Sequence, residues 1–208
     1  MNPATVPAEP YIRHPLGLPR GSVRAFLALM IAGLFWLLLV LPEGVEVPIP
    51  LFLYFLLGLI FLFFGAHGHT IGRHVGDGRS PLHLPRGSVR GLILLGTAAV
   101  LGWIYYAHPE RLPGRLTPHP DQLGQWPTLL LTSLGGFGVG YVIRLGPWRH
   151  TATYQDVLAT VSLLAMLGLV AETILVVFIN PSMFQGIDLS TWEAVLTAVV
   201  AFYFGARS

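Results

Sequence analysis

Six apolar stretches, at about 23–41, 49–66, 89–106, 127–145, 157–179 and 190–206, dominate this chain and leave it few ways to fold. At about 1.5 Å rise per residue, a helical run of about 18 residues reaches about 27 Å, enough for a thin bilayer core. Only 11% of the residues are charged, against roughly a quarter in an average soluble domain, and those charges sit mainly between the stretches. The pattern predicts an all-α, polytopic membrane protein with six transmembrane helices.

A repeated word organises those helices. Leu-Pro-Arg-Gly-Ser-Val-Arg occupies Leu18 to Arg24 and returns, 66 residues on, at Leu84 to Arg90, each time leading into an apolar stretch. The same offset aligns 16–29 with 82–95. Applied again, it lands at His150, just before Thr153, Tyr154, Gln155 and Asp156 and the start of the fifth stretch. Phe-Gly-Ala closes both the second stretch (Phe64 to Ala66) and the sixth (Phe204 to Ala206). These echoes predict three like-oriented hairpin repeats: a Pro-rich arm over 1–15, then hairpins over 16–81, 82–149 and 150–208. A pseudo-axis relating them runs along the membrane normal, so inverted repeats are not indicated.

Charge placement orients the bundle. Arg13, Arg20, Arg24, Arg73, Arg79, Arg86, Arg90, Arg144, Arg149 and Arg207 fall on one side, and only Arg111 and Arg115 on the other. The positive-inside bias therefore places both termini in the cytoplasm and fits a bacterial inner membrane. The polar, Pro-rich N-terminus lacks the basic-then-apolar order of a cleavable signal, so the first helix is expected to be retained. The five tryptophans fall mostly near span ends, as indoles at headgroup level do. The second stretch, rich in Leu and Phe without a polar stripe, is expected to turn much of its circumference to lipid.

Four groups of residues stand out against this background. In the repeated word, Ser22 and Ser88 are placed to cap their helices, and Arg24 and Arg90 fall in the unfavourable positive end of the helix dipole. With Arg20 and Arg86 they either anchor topology by snorkelling or dock an anionic lipid headgroup or an acidic partner. Gly135, Gly136, Gly138 and Gly140 strip bulk from the fourth helix, for close packing or a glycine-lined slot. Glu172 lies within the fifth stretch and Glu193 one turn inside the sixth, across a short loop. An intramembrane carboxylate is protonated, paired or facing water, so the two are candidates for proton or ion handling, or a hydrogen-bonded structural pair. His67, His69 and His74 follow the second stretch, and a Gly-rich tract folding them around a metal ion is the weakest of the four ideas.

No Ser/His/Asp grouping, phosphate-cradling loop or paired-carboxylate motif emerges, and the absence of cysteine removes thiolate chemistry. The chain is therefore expected not to be an enzyme and to need no cofactor. Its expected role is that of a non-catalytic scaffold, assembly or accessory subunit, with other membrane-protein subunits or copies of itself as partners. Small proton or cation transport through Glu172 is one alternative. Anionic-lipid binding or cofactor carriage is another. Basic loop residues are too sparse for nucleic acid.

Overall fold

Each copy of the repeated word delivers a glycine in the left-handed region, Gly21 at φ 86° and Gly87 at φ 83°, where a side chain would be strained. Helix α1 (Ser22–Val40) begins immediately after the first and α3 (Ser88–Ala107) immediately after the second. The serines do not cap. Neither helix start has a side-chain capping bond, because the turning glycine takes the cap position and pushes serine to the first helical residue. Ser22 is wholly buried, and its hydroxyl accepts the Leu82 N–H at 3.0 Å.

The computed structural model describes residues 21–41, 49–67, 82, 87–118, 120–147, 151–179 and 188–207, with backbone alone for 64–67 and 121. The remaining helices are α2 (Leu51–His67), α4 (Arg111–Leu116), α5 (Pro120–Leu123), α6 (Trp126–Arg144), α7 (Ala152–Ile174) and α8 (Ser190–Arg207). A π-helical turn, Leu175–Ile179, extends α7. All regular structure among the described residues is helical.

Among the described residues four helices are long and apolar enough to cross a membrane: α1, α3, α6, and α7 joined to its π turn as one 28-residue span, Ala152–Ile179. The expectation was six. Helix α2 is too short, at 17 residues, and α8 opens on Ser190, Thr191, Trp192 and Glu193 and closes on Arg207, which lowers its hydropathy. These two helices are nonetheless among the best covered by protein. Phe52, Leu56 and Ile60 of α2 and Val200, Ala201 and Phe204 of α8 are all but inaccessible. The expected lipid-facing character of the second stretch is thus largely reversed, apart from Gly58 and Leu62, which are exposed. Its aromatic content serves the interior: Tyr54 stacks edge-on against Phe35 of α1, and Phe63 against Phe204 of α8.

The tightest seam joins α6 to α8. A Cβ on Gly136 would run into the Ala198 carbonyl, and one on Gly140 into the carbonyl of Phe202 and, at 2.8 Å, the nitrogen of Ala206. A Cβ on Gly205 would strike the Phe137 carbonyl in return. Backbone therefore lies on backbone. Lipid tails are as apolar as leucine, so helices gain little by hiding greasy side chains from them and associate through close approach of this kind. Numbers rise together along the seam, so α6 and α8 run parallel. Helix α7 runs against α8, with Tyr154 near Ala206 and Gly168 near Leu196 and Trp192. Helix α3 is attached to α1 by a short stripe: the Trp36 indole donates to Thr97 Oγ1 at 3.0 Å and its ring fills the space above Gly96. Trp36 thus ties two helices together.

Helix ends are closed by side chains from elsewhere in the chain. At one end Arg115 of α4 donates to the carbonyls of Leu38 and Leu41, finishing α1. Gln122 of α5 accepts the Leu51 N–H at the start of α2, and the Tyr54 hydroxyl donates to the Leu116 carbonyl. At the other end Arg24 of α1 donates to the Arg207 carbonyl and Tyr154 of α7 to that of Ala206, finishing α8. Each contact satisfies a carbonyl or N–H that its own helix leaves without a partner.

Candidate functional site

Helices α7 and α8 come close because Gly168 has no side chain: a Cβ there would sit 2.5 Å from Leu196 Cδ2 and 3.3 Å from the Trp192 ring. One turn beyond Gly168 along α7 is Glu172. One turn before Leu196 along α8, which runs the other way, is Glu193. The antiparallel packing therefore brings both carboxyl groups to the same interface at the end of the bundle away from Arg24. Glu172 is 2% exposed and Glu193 4%. Neither oxygen of Glu172, nor Oε2 of Glu193, has a hydrogen-bond partner among the described residues.

Neighbouring hydroxyls do not serve these acids. Thr173 Oγ1 donates to the Leu169 carbonyl at 2.8 Å, and Thr197 Oγ1 donates to the backbone carbonyl of Glu193, also at 2.8 Å. Both are turned onto their own helices, the usual habit of a mid-helix threonine. Asp188, just before α8, is exposed and accepts the Ser190 N–H at 2.9 Å. That bond, with a second to the Ser190 side chain, holds its carboxyl below the ordinary aspartate value. Asp188 lies within electrostatic reach of Glu193, and Glu193 within reach of Glu172. The three acids form a file from the loop into the bundle. The π turn starts three residues past Glu172, and such turns within helices often mark functional sites. Two carboxyl groups this deeply buried, with three of their four oxygens lacking a partner among the described residues, suit a shared proton or a bound cation.

The other sequence candidates are scattered. Gly136 and Gly140 lie in the α6–α8 seam, whereas a Cβ on Gly135 or Gly138 meets nothing within 4 Å. The two copies of the repeated word have different surroundings. Ser22 is buried and Arg24 partly so, its guanidinium 4.6 Å from the centre of the Phe63 ring. Ser88 is half-buried and Arg90 exposed. Arg20, Arg86, His69 and His74 lie outside the described residues, and His67 is described only as the last residue of α2.

Sequence reasoning missed Asp188 as the outer member of the acid file, and the glycines Gly96, Gly168 and Gly205 as contact points. It also missed an apolar groove of 580 Å³ between α2 and α6, opened by Gly58 and carrying Ser133 among its lining residues. Gly58, a glycine in the middle of the Leu- and Phe-rich second stretch, was the available signal. Comparison with protein-family profiles, curated proteins and solved structures gives no match.

Proposed function

We propose that the chain is a six-span integral membrane protein, built from three like-oriented hairpins with both ends in the cytoplasm, that acts as a non-catalytic subunit of a larger membrane assembly or homo-oligomer. Helices α2 and α8 complete the count of spans: their shortfall in length or hydropathy is tolerable because protein, more than lipid, surrounds them. The hairpin repeat draws support from the matching starts of α1 and α3, each set immediately after a left-handed glycine of the repeated word.

The observation that carries the subunit reading is α3. It holds to its neighbours through a narrow stripe and leaves Leu92, Leu95, Trp103, Tyr105 and Tyr106 on the outside, Tyr106 at 90% exposure. Aromatic residues with polar tips suit a protein–protein contact within or beside a bilayer. Photo-crosslinking from a benzoylphenylalanine placed at Tyr105, in native membranes, tests it. Adducts to another polypeptide, or to a second copy, are expected. Adducts to lipid alone would remove the reading.

A second reading rests on the acid file. In it, Glu172 and Glu193 pass a proton or small cation between the bundle interior and the mouth at Asp188. Flux in proteoliposomes, compared with that of Glu172→Gln, decides. Conduction that the substitution abolishes supports the idea. Unchanged conduction, or none in either protein, discards it.

A further inference from the structure

The groove between α2 and α6 and the arginines at its end make one site. Tyr54, Phe55, Gly58 and Leu62 form one wall and Leu130 and Phe137 the other. From Tyr54 to Phe63 the groove follows α2 for about 13 Å at helical rise, close to the depth of one leaflet of a hydrocarbon core about 30 Å thick. Phe63 lines its inner end, and the Arg24 guanidinium lies over that ring at 4.6 Å. Arg207 belongs to the same end of the bundle: its carbonyl receives Arg24, and its buried Nε has no acceptor among the described residues. Arg144 and Arg207 both act electrostatically on Tyr154 nearby. The described acid at this end is Asp156, which is exposed on the first turns of α7.

We propose that an anionic phospholipid binds here, with one acyl chain in the α2–α6 groove and its phosphate against Arg24 and Arg207. The groove alone accepts any lipid tail. The charge selects the headgroup: guanidinium donors bind phosphate oxygens through charge-assisted, forked hydrogen bonds, and five donors serve more than one acceptor. A buried guanidinium nitrogen without an acceptor is a standing demand for one. The site goes beyond the subunit reading and does not depend on it. It also divides the repeated word, since Arg24 belongs to the site and the exposed Arg90 does not.

The test uses the full chain, stripped of lipid in mild detergent and examined by native mass spectrometry with phosphatidylglycerol, phosphatidylcholine or inorganic phosphate added. Phosphatidylglycerol should be retained about tenfold more tightly than phosphatidylcholine, and Arg24→Gln should bring the two level. Gly58→Leu fills the groove at a position where a Cβ meets nothing within 4 Å, so the fold is kept. It should weaken retention of both lipids with an unchanged melting temperature. Equal retention of the two lipids by the unaltered chain overturns the proposal, as does a Gly58→Leu protein that binds phosphatidylglycerol normally. Inorganic phosphate that displaces the lipid at equal concentration would reduce the site to an anion pocket and overturn it as well.

Discussion

Gly136 and Gly140 differ from Gly135 and Gly138 only in phase around one helix, yet they tolerate opposite changes. Gly140→Val forces a side chain into the backbone of Phe202 and Ala206, which has no room to yield, and should destabilise the chain by about 1–3 kcal/mol or more. Gly138→Ala meets nothing and gains helix propensity, so its effect should stay within about 1 kcal/mol and be favourable. Thermal unfolding in detergent separates the two. Glu172 offers the reverse lesson. A buried carboxyl without a partner is a liability to the fold, so Glu172→Met should leave stability unchanged or raise it by about 1–3 kcal/mol. A marked fall in melting temperature would reveal a structural partner for Glu172 and argue against an ion-handling role. Asp188 adds a pH dependence. Its folded value is depressed by the Ser190 bonds, so its contribution is present above the ordinary aspartate value of 3.8 and fades as pH falls through the lower, folded one. Protection factors of the amides in the first turn of α8 should therefore fall in acid, and Asp188→Ala should show the lowered protection already at neutral pH. The glutamates were legible because a charge inside an apolar run is conspicuous. The four-residue spacing of Gly136 and Gly140 was legible too, as a close-packing pair; that the helix it meets is α8 was not.

At the scale of elements, hydropathy identifies helices and says little about where they go. Leucine and phenylalanine are equally at home against lipid or against protein, which is why α2 reads as lipid-facing and lies inside. The more polar α8 lies inside too, and there small residues were the usable signal: Ala198, Gly205 and Ala206 lie against α6. The starts of α1 and α3 were readable to within one residue, because the turning glycine of the repeated word is followed at once by helix. Their capping was not, since a serine beside a glycine fits either the cap or the first turn. The short helices α4 and α5 went unread, although they close α1 and α2. Arg115→Ala should loosen that closure by about 0.5–1.5 kcal/mol, by removing donors to Leu38 and Leu41. Faster proteolysis within residues 111–123, with little change in the remaining helices, is the expected signature.

For the whole molecule, the directions of the helices are the central quantity. Helices α1, α3 and α7 run one way and α2, α6 and α8 the other, so the start of α1 and the end of α8 share one end of the bundle, as Arg24 and Arg207 attest. The chain lacks cysteine, so introduced cysteines report cleanly on sidedness. Asn2→Cys and Ser208→Cys should react with an impermeant maleimide from the cytoplasmic side, and Gly114→Cys in α4 from the opposite side. Labelling of the two ends from different sides would remove the proposed three-hairpin architecture. The seam between α6 and α8 has one more implication, for biogenesis. The partner of the Gly136 and Gly140 stripe, α8, leaves the ribosome well after α6, so a chain interrupted before residue 190 enters the membrane with that stripe bare. Such a fragment would carry α1 to α7 and still lack its tightest joint, leaving a sticky surface for quality-control proteases or stray helices to find.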